Sequence, residues 1–72
     1  MRSDLSLDRP EGEIAAMFEA HQKCYPEVPM GSYPFIRDGK PRTQLVLRST
    51  DATLLAQAES ELKMQLAARG WL

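Results

Sequence analysis

His21, Cys24 and Tyr25 stand close together in a 72-residue chain that has one histidine and one cysteine. Three residues apart on a helix, His21 and Cys24 share a face, as a Cys–His nucleophile and base would require. The competing reading is structural: Tyr25 and Cys24 pack inward, and His21 sits near the helix end where the dipole favours a basic group. No third residue is evident to orient the imidazole, so the structural reading is preferred. A stand-alone enzyme using Cys24 and His21 remains as an alternative. Glu11 with Glu13, and Glu59 with Glu61, are close carboxylates that resemble an acid–base pair. Residues two apart on a helix do not face each other, so these read as solvated faces and dipole partners.

A second group is basic. Arg37, Lys40, Arg42 and Arg48 gather four of the nine basic side chains into one short stretch, opposed there only by Asp38. They are candidate contacts to an anion. Tyr33 and Phe35 could stack bases beside Arg37, Arg42 and Arg48, which gives the alternative of a single-stranded nucleic-acid-binding KH-like module. Against it stand a net charge of −1 and the absence of any Gly-x-x-Gly tetrapeptide. Cations on an exposed hairpin also serve to keep a sheet edge from pairing. Gly31-Ser32-Tyr33-Pro34 forms a third group. Glycine inside a strand marks a bulge or a close backbone approach, and proline confines the strand to an edge. The tetrad reads equally as a docking edge for another domain, subunit or ligand, or as a strand bent over the core. Gly12, Gly31, Gly39 and Gly70 have no phosphate-loop spacing, so no nucleotide cofactor is expected in this chain. A lone cysteine removes internal disulfides and thiolate clusters, and no metal site is expected.

The elements that must position these residues follow from pattern. Residues 3–7 alternate polar and apolar, which reads either as a short half-buried strand or as a frayed terminus. Asp8 with Glu11 reads as a capping box, and Pro10 suits the first turn of a helix. Ile14, Met17, Phe18, His21 and Tyr25 follow one helical face, and Pro26 ends it. Val28–Ile36 is β-branched and aromatic, though broken by Pro29, Gly31 and Pro34. Asp38-Gly39 predicts a hairpin turn into a return strand over 42–49. Asp51 caps a second helix over 52–69, whose buried stripe is Leu55, Ala58, Leu62 and Leu66, with Gly70 past its end. The expected fold is α+β, a small two-layer sandwich in the order β-α-β-β-α. Its three-stranded, mostly antiparallel sheet carries both helices on one face. Residues 1–72 form a single small domain. No apolar run is long enough to span a membrane and no signal-peptide core follows Met1, so a cytoplasmic location is expected.

Size makes such a domain marginal. Burial of about 7,200 Å², some 60% of it apolar, contributes on the order of 110 kcal/mol. Ordering the chain at ~1.5 kcal/mol per residue costs about as much.

Three segments in order carry a resemblance: Pro10-Glu11-Gly12-Glu13-Ile14-Ala15, Tyr25-Pro26-Glu27-Val28-Pro29-Met30-Gly31-Ser32-Tyr33-Pro34, and Leu45-Val46-Leu47-Arg48-Ser49-Thr50-Asp51. The chain resembles the segment that follows the molybdopterin-binding domain in CinA-like (competence/damage-inducible protein A) proteins. It is similar also to the matching part of FAD synthases. The resemblance implies a KH-like or ferredoxin-like C-terminal module of a larger protein, non-catalytic and accessory. The parent would be linked to hydrolysis of ADP-ribose or FAD-type pyrophosphates. Its implied partners are the upstream molybdopterin-binding-like domain and a homo-oligomer, with no membrane or nucleic acid. No catalytic residue carries over; Gly31, Ser32, Tyr33 and Pro34 do, as the family's mark.

Overall fold

The structure, a computed structural model, describes residues 1–72. It contains β1 (Arg2–Leu7), α1 (Glu11–Cys24), β2 (Met30–Arg37), β3 (Lys40–Arg48) and α2 (Ala52–Ala68), the expected β-α-β-β-α order. The sheet runs β1-β3-β2, antiparallel throughout. The strand with the cleanest alternation, β3, is therefore central. Asp38 (φ 53°) and Gly39 (φ 74°) both take positive φ between Arg37 and Lys40, the geometry of a two-residue type I′ turn.

Two periodicities bury one core. Ile14, Met17, Phe18 and His21 from α1 and Leu55, Ala58, Leu62 and Leu66 from α2 are buried against one face of the sheet. That face supplies Leu7, Leu45 and Leu47, and the loop before β2 adds Val28. Thr43 is also fully buried there, its hydroxyl donating to the Arg9 carbonyl at 2.8 Å, so the polar group is satisfied.

Helix ends show where pattern and structure part. Asp51 caps α2, its carboxylate accepting from the Thr53 and Leu54 amides at 3.0 and 3.1 Å. The C-terminus closes in a Schellman motif: Gly70 (φ 74°) donates to Ala67 at 3.0 Å and Trp71 to Leu66 at 2.9 Å. The turn brings Trp71 back against the core. At α1 the expected capping box does not form. Pro10 is the N-cap and no side chain caps the helix. Asp8 instead pairs with Arg42 on β3, because it lies in line with β1 and a guanidinium stands beside it. Cys24, expected to pack inward if structural, is exposed.

Candidate functional site

The second face of the sheet carries no helix. Antiparallel register places Arg2, Asp4 and Ser6 of β1, Arg42, Gln44, Val46 and Arg48 of β3, and Gly31, Tyr33, Phe35 and Arg37 of β2 on this open side. Val46 is only 4% exposed although no helix covers it. Its neighbours Gly31 and Tyr33 account for that. Gly31 lies directly opposite Val46. A Cβ at position 31 would meet the Tyr33 hydroxyl oxygen at 2.9 Å and ring carbons at 3.1 and 3.2 Å, so the Tyr33 ring lies back along β2 over the glycine. The outer side of that ring is open, Tyr33 being 55% exposed. Pro29, Met30, Gly31, Tyr33, Val46 and Arg48 line a hollow of about 180 Å³ at this end of the sheet.

Each member of the tetrad now has a physical task. Gly31 makes room for the Tyr33 ring. Ser32 turns to the helical side and donates its hydroxyl to the Glu11 carboxylate at 3.1 Å, tying β2 to the first turn of α1. Tyr33 shields Val46. Pro34 stands opposite Thr43. The Arg48 amide donates to the Pro29 carbonyl at 2.9 Å, which fixes the phase of the ladder and leaves Pro34 facing outward from the sheet edge. It interrupts no hydrogen bond there.

The four cations do not form one cluster. Arg37 and Lys40 flank the hairpin tip. Arg42 is held by Asp8, with its Nε buried and without a partner. Arg48 lies at the far end of β3, roughly 20 Å from Arg42 along the strand. It has no ion-pair partner and stands opposite Arg2, whose guanidinium is taken by Asp4 at 2.9 Å. The hydrogen bond to Asp4 pushes the Arg2 guanidinium above its ordinary range. Arg2 had no signal in the sequence beyond its charge, because its nearness to Arg48 depends on strand order.

On the helical side the His21 group is fully engaged. Its Nε2 lies 2.9 Å from the Ala58 carbonyl, which can only accept, so Nε2 carries the proton. Nδ1 then accepts from the Gln65 amide at 3.0 Å. The ring is 1% exposed and bridges α1 to α2. No nitrogen is left to take a proton from Cys24, so this arrangement does not support the Cys24/His21 enzyme. Gln65 supplies the orienting contact that the sequence did not reveal, since it sits 44 positions away. Beside His21, Tyr25 donates to Glu61; that bond, with burial second, pushes its hydroxyl up to about 12. Glu59 is held below the usual carboxylate range, by Lys63 first and the Ser3 hydroxyl second. No cluster of three or more His, Cys, Asp or Glu residues could hold a metal ion.

Over residues 1–71 the sequence matches the family described as FAD synthase, middle domain. The chain belongs to that family. No curated protein and no solved structure matches it. A middle domain of FAD synthase is one segment of a larger protein. In that setting this FAD synthase middle domain is an accessory α+β module, built from a helix-covered sheet face and an uncovered one. No helix of the domain is long and apolar enough to cross a membrane.

Proposed function

We propose that the FAD synthase middle domain acts as a non-catalytic accessory module that docks its open sheet face on a neighbouring domain of its parent protein. There it offers Arg48, and at the hairpin tip Arg37 and Lys40, to an anionic ligand of the FAD or ADP-ribose pyrophosphate type. The observation that carries this reading is the open face itself. Tyr33 is seated on Gly31 over a buried Val46, with an unpaired arginine on the rim of the adjoining hollow. Such a face has aromatic and Arg character, as recognition surfaces do, and lacks a helix to cover it.

The finer reading is a parent of CinA type, with a molybdopterin-binding-like domain upstream and no cofactor held by this domain. The ordered segments 10–15, 25–34 and 45–51 support it. The reading places the parent in the cytoplasm, where the exposed Cys24 would stay reduced. The test replaces Arg37, Lys40 and Arg48 by glutamate in the full-length parent and measures nucleotide affinity by calorimetry. A loss of about tenfold or more is expected; unchanged affinity overturns the anion contact. Tyr33 and Phe35 on the same face as Arg37 and Arg48 favour one rival, single-strand nucleic-acid binding. A low-salt gel shift that shows a complex would establish that rival.

A further inference from the structure

The two edges of the sheet are unequal. Along β2 the residues whose backbone groups face outward are Met30, Ser32, Pro34 and Ile36, given the bond from the Arg48 amide to Pro29. That edge is blunted. Pro34 has no N–H, and the Met30 carbonyl is taken by the Gln22 side-chain amide at 3.0 Å.

The β1 edge has no such protection. Met1 and Ser49 exchange both hydrogen bonds, at 2.9 and 3.1 Å, so Ser3, Leu5 and Leu7 bond inward to β3 by alternation. Arg2, Asp4 and Ser6 therefore turn their N–H and C=O groups outward, and no group in the protein bonds to them. The strand contains no proline, glycine or lysine, and its register with β3 runs unbroken from Arg2 to Leu7. It is a ready template for another strand.

We propose that this edge pairs with β1 of a second copy of the chain, antiparallel and centred on Ser3. Only outward-facing residues can exchange bonds across such a junction, which limits the registers to a few. Centring on Asp4 sets two aspartates directly opposite, a repulsive pair. Centring on Leu5 sets Asp4 opposite Ser6 and leaves Arg2 to meet Asp8, which lies past the end of the strand. Centring on Ser3 sets Arg2 opposite Asp4 of the second copy and Asp4 opposite its Arg2. The alternating Arg2-Ser3-Asp4 pattern is thus complementary to itself about a twofold axis. It forms a ring of four alternating charges on the open face. Ser3 meets its own copy on the other face, and Leu5 lies beside Met1. The two three-stranded sheets become one continuous antiparallel sheet, with the helices of both copies on one side.

Sedimentation equilibrium of the 72-residue chain tests this. A concentration-dependent dimer is expected. Asp4→Pro removes an outward N–H without touching the β3 ladder, and should leave a folded monomer by circular dichroism. Asp4→Arg and Arg2→Asp should each weaken the dimer at least about tenfold, whereas the two variants mixed should form a heterodimer. The double variant Arg2→Asp/Asp4→Arg should recover the dimer. A monomer at every concentration overturns the proposal. So does a dimer that persists in Asp4→Pro, or a charge-swapped double variant no better than either single.

Discussion

At the scale of single residues, the Gly31–Tyr33 pair is the most specific arrangement in the molecule. A Cβ at position 31 falls within 2.9 Å of the phenol oxygen, so Ala there must push the ring off Val46. Ala also suits a strand better than Gly, by about 0.5–1 kcal/mol. The two effects oppose in the native background and separate in a double-mutant cycle. Gly31→Ala should be neutral or destabilising with Tyr33 present and stabilising by about 0.5–1 kcal/mol in Tyr33→Ala. Urea denaturation of the four proteins checks it; additive effects would mean that the ring is not seated on the glycine. Gly31, Ser32, Tyr33 and Pro34 were legible as an unusual edge because glycine and proline announce backbone exceptions. That Tyr33 leans back over Gly31 toward Val46 was not legible, since it depends on a rotamer and on the β2–β3 register that sets Gly31 opposite Val46. His21 follows the spacing of the apolar face of α1 and is buried there, rather than resting at the helix-end dipole as the structural reading has it. Its partners Ala58 and Gln65 belong to a helix that begins 31 positions later, and no local pattern names them.

At the scale of elements, local rules hold where the backbone itself sets the geometry. Asp38-Gly39 and Gly70 take the positive φ that their sequence context predicts. Gly70 has nothing within 4 Å of a Cβ, so a substitution there is opposed by the dihedral alone. Gly70→Ala should cost about 1–2 kcal/mol, and D-alanine, introduced by chemical synthesis, should cost nothing. Equal thermal midpoints for L- and D-alanine would contradict the Schellman assignment. The capping box at Asp8 failed for a different reason. Its carboxylate is offered the α1 amides by local sequence, but the β1–β3 pairing brings Arg42 within reach, and the carboxylate turns to that guanidinium instead.

At the scale of the whole molecule, charge is sorted by layer. The strands and the residues directly continuing them, 1–8 and 30–48, carry five basic and three acidic side chains, and the remainder four and seven. The cation stretch seen in the sequence thus becomes a property of the sheet layer. It leaves the uncovered sheet side the positive one. The core is a single cluster of eleven residues, and the whole domain's accessible surface of 4560 Å² is close to what the length alone predicts. A domain of this size has only about 4–10 kcal/mol in total. Leu62, fully buried on α2, should therefore be critical. Leu62→Ala is expected to remove about 3 kcal/mol and lower the thermal midpoint by more than 10 °C or so. A shift of a few degrees in calorimetry would show that the helices can collapse into the space.

Element order, turn type, the α2 cap and both buried helical stripes were determined by the sequence. Each rests on contacts within a few residues, where period, capping chemistry and dihedral preference act directly. Strand order, the partners of His21 and Arg42, the separation of the hairpin cations, and the contrast between a blunted β2 edge and an open β1 edge were decided only by the tertiary structure. The reason is physical. The β1–β3 pairing and the partners of His21 and Arg42 join residues 34 to 48 positions apart, and a side chain's local pattern states which face it occupies without stating what arrives opposite it.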